Sequence, residues 1–352
     1  MRKTSLFAAA AASGATFETF DGWLLPAHFG SLPAEVAAGR EGAALVDRAD
    51  AAVLSLAGPD ARRFCNGMFT NNVRDLPVDR ANRHAMVDER ARVLGLLDLW
   101  CVAPHGFVVV LDGVTADAFT TRYGKYLVFD DVELVDESDD WHVLGLQGPA
   151  AADVARASGL PVPDAEGALA SVAGDPPLRI ARRARTVAGG FELLVPRHAV
   201  VAVWEGLRAA GAVAIGREAA EILRVEAGHP RWPVDMTEKS LIHELRLVES
   251  VGSFEKGCYI GQEIINRIDV MGQVTRKLWG LELEEDALPP RGAEVRDGDD
   301  PVGETFSAVR DGGRVRVLAV LRKRAWTPGM RVTVHAGERA VGAIVRDLPF
   351  GG

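Results

Sequence analysis

Two stretches of the chain, VLSLAGPDARRF (53–64) and VLGLQGPAAADV (143–154), follow one plan: an apolar strand, a Gly-Pro turn, then a helix-forming run. A strand–turn–helix unit that occurs twice confines the chain to related α+β halves, because each strand's sheet needs a helix to cover one of its faces. Around the first unit the patterning predicts a strand near 52–56, a helix capped by Asp60, two strands in HAMVDERARVLGLLDLWCV and another in GFVVVLDG. Around the second it predicts a strand in GGFELLVP, a helix in VVAVWEGLRAAG and a helix in REAAEILRVEAG closed by Gly228. Beyond residue 276 the composition changes to short alternating runs, LWGLELE, RVRVLAVLRK, MRVTVHAG and RAVGAIVRD, separated by PP, DG, DGG and PG turns. That pattern predicts a small antiparallel barrel over 277–352 behind an α+β body of 1–276.

Forty Lys and Arg stand against 49 Asp and Glu, a net charge of −9. Phosphate-backbone binding needs a positive field, so tRNA or other nucleic acid is not expected as a direct partner. Only three cysteines are present, Cys65, Cys101 and Cys258, which is neither a disulfide framework nor a zinc ribbon and fits a reducing, cytoplasmic setting. MRKTSLFAAAAASG has the outline of a signal peptide, but its short alanine-rich run suits a helix entered at Thr4 or Ser5 equally well. No segment offers the ~20 apolar residues of a membrane helix, so no membrane partner is expected. GxGxxG and GxSxG are absent, 252–259 has P-loop spacing without the Lys-Ser/Thr pair, and Leu247 stands where HExxH needs its second histidine. No metal site is expected.

The most unusual local sequence is SFEKGCYIGQEIINRI, 253–268. Gly257 and Gly261 allow sharp turns and close approach to a ligand, a lysine near Cys258 favours its thiolate, and QEIINRI has helical spacing from Gln262. The same residues suit a tight structural turn around an inert cysteine. The short basic runs at 182–185 and 322–324 read as exposed faces, and Thr70, Asn71 and Asn72 read as capping residues.

KGCYIGQE resembles the signature of the YgfZ family of folate-binding proteins, within the wider superfamily of the glycine-cleavage T-protein. LAGPDARRFCNGMFTNNV, LGLQGPAA, GFELLVP and EILRVEAGHPRW resemble segments of that superfamily in the same order. The resemblance implies an α+β chain with a ring-like folate-binding body and a C-terminal antiparallel β-barrel. It implies tetrahydrofolate, or a one-carbon derivative, as cofactor, and iron–sulfur assembly factors or client proteins as partners. It makes Cys258 the catalytic centre and assigns folate contacts to Glu226, Lys256, Gly257, Tyr259, Gly261, Gln262, Glu263 and Arg267. Glu226 is placed on the pterin edge, where a carboxylate can accept two parallel N–H bonds, and Arg267 near the glutamate tail. Glu192 matches a second acidic position of the superfamily.

The main expectation is therefore a tetrahydrofolate-binding, YgfZ-like protein that supports iron–sulfur protein assembly or repair through Cys258. The alternative is an aminomethyltransferase-like enzyme that passes a one-carbon unit from an amine donor to tetrahydrofolate, a branch that DGWLLPAHFGSLPAEVAAGREGAALVDRAD resembles more closely. Gly95 and Leu96 align with the aspartate pair of those enzymes, so the expectation is that their chemistry is lost. Asp98, three residues on, is expected to face away from Gly95.

Overall fold

The computed structural model describes every residue except Gln273, Glu338 and Gly352. The first repeated strand, Ala52–Ala57, lies between Gly106–Asp112 and Glu133–Asp136 in a five-stranded sheet completed by Val93–Ala103 and Arg80–Val87. The second, Trp141–Gln147, lies between Gly190–Pro196 and Ala44–Asp47 in a six-stranded sheet that also holds Leu178–Arg182, Leu169–Val172 and Val213–Ile215. Each repeated strand is followed by its helix, Ala61–Met68 in one half and Ala151–Ala157 in the other.

Strand alternation explains the layering. Val53 and Val143 point into a shared core between the two sheets, joined there by Trp100, Val110, Ala181 and Leu194. Their neighbours Leu54 and Leu56 point the other way, onto Phe64, Phe69 and Phe119, while Leu144 and Leu146 meet Val154, Trp204 and Leu207. Each of these fully buried leucines contributes about 1.5–3 kcal/mol of transfer free energy. The N-terminal run joins the second core as the helix Phe7–Ala12, with Leu6 and Ala10 buried and Thr4 Oγ1 donating to Asp47 Oδ2 at 2.6 Å.

The two Gly-Pro turns require glycine for the same reason. Gly58 has φ +139° and Gly148 φ +117°, and a Cβ would lie 2.2 Å from the Asp131 carbonyl oxygen at the first and 2.4 Å from that of Gly42 at the second. Gly148→Ala therefore destabilises the protein by at least about 2 kcal/mol, through backbone strain and displacement of a packed loop. A urea midpoint unchanged in the variant contradicts this. Asp60 does stand at the start of the first helix, but its carboxylate accepts from the Asp131 N–H at 3.0 Å and makes no cap hydrogen bond.

The strands Arg276–Leu283, Arg314–Arg322, Asp300–Asp311, Glu294–Asp297, Arg331–Ala336 and Arg339–Arg346 close into a barrel filled by Leu281, Val295, Val317, Val334 and Val345. Closure leaves no unpaired edge. Outside the barrel, Leu278, Phe306, Leu318 and Val320 pack on Ile222 and Leu223 of the helix Arg217–Glu226. That helix thus stands between the barrel and the interior of the body. Among the described residues no helix is long and apolar enough to cross a membrane.

Candidate active site

A partly open cavity of about 110 Å³ lies where the two sheets meet the helix Arg217–Glu226, and it adjoins a larger one of about 1010 Å³ that shares Arg83, Arg183, His229 and Pro230. Its apolar walls are Val46, Leu96, Ile215, Leu223 and Trp232. Its polar wall is dominated by arginines: Arg48, Arg83, Arg183, Arg185, Arg217 and Arg224. Loop geometry sets two of these, because Gln147 Nε2 donates to the carbonyls of Arg183 and Phe191, each at 3.0 Å, and Gln147 Oε1 accepts from the Arg185 N–H at 2.9 Å.

Asp50 pairs with Arg217, Glu221 and Asp235 pair with Arg224, and three further carboxylates face Arg48, Arg183 and Arg185. Asp112 accepts from Arg185 Nη1 at 2.5 Å and from Arg48 Nη2. Glu192, with no exposed surface, accepts from Arg185 Nε at 2.6 Å and pairs with Arg48 Nη1. Asp98 lies 3.0 Å from Arg183 Nε and 3.5 Å from Arg185 Nη2. Burial pushes the Asp112 carboxyl up, but Arg185 and Arg48 outweigh it and hold the group well below the ordinary range. Asp98 is lowered in the same way, burial being outweighed by Arg183, Arg185 and Arg83. Both groups are thus ionised at neutral pH, suited to stabilising positive charge rather than to accepting protons. Burial, reinforced by the field of Arg83, Arg183, Arg185 and Arg224, pushes His229 down to about 3, so it stands neutral on the same wall.

The residues singled out around Cys258 lie elsewhere. Gly257 (φ +91°) and Gly261 (φ +80°) do make sharp turns, and Gln262 starts the helix Gln262–Met271. Yet none of Lys256, Gly257, Cys258, Tyr259, Gly261, Gln262, Glu263 and Arg267 lines the cavity. The loop is a clip on the first half: the buried Lys256 donates to the Phe69 carbonyl and, at 2.8 Å, to that of Asn71, while its own carbonyl accepts from Asn66 Nδ2 at 3.1 Å. Its ammonium lies 4.6 Å from the Tyr259 ring. A Cβ at Gly261 would lie 2.8 Å from the Asp88 carbonyl oxygen, so the clip needs that glycine. Cys258, Glu263 and Arg267 are exposed, whereas Cys65 and Cys101 are buried.

Burial pushes the Lys256 ammonium down to about 7. The unfolded lysine keeps its proton to about pH 10.4. Between those values the unfolded chain binds more protons than the folded one, so this group makes stability rise with pH across the window, the gain being complete above the unfolded pKa. We expect the urea midpoint to rise from pH 7 to pH 9.5 by more in the native protein than in Lys256→Met. Equal rises contradict this.

Two expectations are corrected. Glu226 does not line the cavity, and its oxygens accept from Arg40 Nε at 2.9 Å and from Arg316 Nη1 of the barrel at 2.8 Å instead of facing a pterin edge there. It is the last residue of its helix and turns toward the barrel. The run at 182–185 is no exposed face, since Arg183 and Arg185 form the cavity wall. Gly95 is not on that wall, since a Cβ there would lie 2.4 Å from Val114 Cγ2, in the core; Leu96, the other position of the aligned pair, does line the cavity, so neither position offers a carboxylate there. Thr70, Asn71 and Asn72 are structural as expected, with Thr70 Oγ1 donating to the Val251 carbonyl at 2.5 Å and accepting from the Ala85 N–H at 2.9 Å.

Mixed sheets around an arginine-walled cavity, followed by a six-stranded barrel, define the class of fold. The model of the GCVT N-terminal domain matches residues 6–253, and the chain belongs to that family. Similar proteins include the aminomethyltransferase of Herpetosiphon aurantiacus, 28% identical with 99% of this chain and 98% of that protein covered. That of Symbiobacterium thermophilum is 29% identical, with 99% and 97% covered. The crystal structure of the glycine cleavage system aminomethyltransferase T from Bartonella henselae superimposes with a TM-score of 0.90 at 23% identity, covering 99% of this chain and 98% of that one, and shares its fold. These findings overturn the iron–sulfur assembly reading built on Cys258, because the relatives that match along the whole chain are aminomethyltransferases.

The family uses tetrahydrofolate. The apolar walls suit the faces of such a ring, and behind the lining residues Arg48 and Arg185 the buried Glu192 Oε2 has no hydrogen-bond partner, an acceptor suited to the N–H edge of a 2-amino-4-oxo ring.

Proposed function

We propose that the chain is an aminomethyltransferase-like enzyme that transfers a one-carbon unit from an amine donor to tetrahydrofolate in the central cavity. The observation that carries this reading is Asp112, held ionised by Arg48 and Arg185 on the cavity wall, with the same two arginines on the unsatisfied Glu192. Glu192, steadied by the same two arginines, binds and orients the pterin edge. Tetrahydrofolate, when bound, supplies the amine that receives the carbon. Asp112 stabilises the positive charge left on the donor's aminomethyl group as its bond to the carrier sulfur breaks and the electron pair leaves with the sulfur; the donor nitrogen departs as ammonia once the carbon has passed to the folate amine.

On this reading the body, 1–276, performs the chemistry and the barrel, 277–352, braces it through the Glu226–Arg316 contact. The KGCYIGQE likeness to the YgfZ branch is a subtype reading confined to the clip. The protein works in the cytoplasm, a setting that its three free cysteines suit. The test is incubation with tetrahydrofolate and an aminomethylated lipoyl carrier: methylenetetrahydrofolate formed in proportion to enzyme supports the reading, and none above background contradicts it.

A further inference from the structure

The part of the cavity wall formed by residues 229–232 is held from the barrel. Asp235, with no exposed surface, closes a turn on Arg231: its N–H donates to the Arg231 carbonyl at 2.8 Å, and its Oδ2 accepts from the Arg231 N–H at 2.9 Å. The same Oδ2 accepts from Arg224 Nη1 at 2.7 Å, and Oδ1 accepts from the Ser307 N–H of the barrel at 2.9 Å. Ser307 Oγ accepts in turn from Arg224 Nη2 at 2.6 Å, while Arg224 Nη1 also donates to the His229 carbonyl. A β-bulge presents that serine. Thr305 pairs with Ala319 and Ala308 with Val317, so Phe306 and Ser307 together oppose the one residue between those partners. Both side chains then face the body, Phe306 on the helix Arg217–Glu226 and Ser307 on Arg224, where regular alternation would turn one of them inward.

We infer that Ser307 is a positioning residue of the active site, acting through Arg224 and Asp235 on the wall segment 229–232. The inference deepens the proposed function and rests on its placing the reaction at Asp112. The other side of the segment bears on that residue's neighbour: Gly113 has φ +67°, and a Cβ there would lie 2.2 Å from the Trp232 carbonyl oxygen. The segment is thus gripped between the backbone that follows Asp112 and a strut from the barrel, and its residues His229, Pro230, Arg231 and Trp232 line the cavity between them. A shift of the strut is passed to the wall against which the folate ring lies, and misplacement by about 1 Å can cost about 100-fold in rate even when it originates far from the chemistry. Every group that touches a reactant still belongs to the body. The Glu226–Arg316 pair also joins barrel to body, but Glu226 is not on the cavity wall, so it serves as the contrast.

The test measures single-turnover transfer from the aminomethylated carrier, calorimetric tetrahydrofolate affinity and melting temperature on the full chain, for the native protein, Ser307→Ala, Ser307→Thr and Glu226→Gln. Ser307→Ala is a mild change, because the backbone N–H stays on Asp235 and only the hydroxyl is lost. It is expected to lower both the transfer rate and the tetrahydrofolate affinity by about 3- to 10-fold, the worth of one hydrogen bond. Ser307→Thr restores the hydroxyl and with it most of the loss. Glu226→Gln melts lower than the native protein yet keeps the native rate and affinity, which separates positioning from bracing. Native rate and affinity in Ser307→Ala, a loss that Ser307→Thr does not recover, or losses that follow melting temperature across all the variants overturns the inference. A native protein that forms no methylenetetrahydrofolate would sink the proposed function alone, and tetrahydrofolate affinity would then decide this inference by the same comparison. Transfer by the native protein with an unaltered Ser307→Ala would sink this inference alone.

Discussion

Asp112→Asn lowers the rate of one-carbon transfer by about 10²–10³-fold while leaving tetrahydrofolate affinity within a few-fold of the native value. The magnitude is that of removing one preorganised electrostatic group from a water-poor site. Arg48 uses Oδ1 and Arg185 uses Oδ2, so asparagine keeps an oxygen for only one of them and carries no charge to set against a developing cation. Because Arg185 and Arg48 hold the Asp112 carboxyl well below the ordinary range, the native pH–rate profile has no acid limb near pH 4 from this group. Single-turnover rates and calorimetric affinities, measured side by side, separate the two effects. A drop in affinity with an unchanged rate would make Asp112 a binding group only.

Glu192 gives the second large effect, and it divides into two measurements. Glu192→Ala strips Arg48 and Arg185 of a shared, fully buried partner, and breaking such a pair costs about 3–5 kcal/mol of stability. Glu192→Gln keeps the shape and tests the ligand instead: it weakens tetrahydrofolate binding by about 1–3 kcal/mol, as the orphaned Oε2 is replaced by an amide that cannot accept the same N–H edge. The corresponding change at Glu226 disturbs the contact with the barrel and leaves folate affinity alone. If Glu226→Gln proves the weaker binder, the placement of the pterin edge is wrong.

Much of the fold was legible because it is local. The repeat at 53–64 and 143–154, the two glycines of its turns and the change of pattern after residue 276 all report backbone requirements that neighbouring residues express. The site was less legible, because it is assembled from segments that only tertiary structure brings together. Arg183 and Arg185 looked like solvated charge, and the missing signal is their pairing across two sheets with Asp98, Asp112 and Glu192. Strand parity held, in that Asp98 faces away from Gly95, but it did not show that this side carries Arg183 and Arg185. The most unusual sequence, around Cys258, is unusual for a structural reason. It pins one half through Lys256 and Gly261, and its exposed thiol lies off the cavity wall.

The central claim is that the chemistry belongs to the arginine-walled cavity and not to the cysteine clip. The most direct measurement is single-turnover formation of methylenetetrahydrofolate from an aminomethylated carrier by the native protein, Cys258→Ser and Asp112→Asn in parallel. The account predicts native rates for Cys258→Ser and a loss of at least about 100-fold for Asp112→Asn. Loss of turnover in Cys258→Ser together with native rates in Asp112→Asn would contradict it.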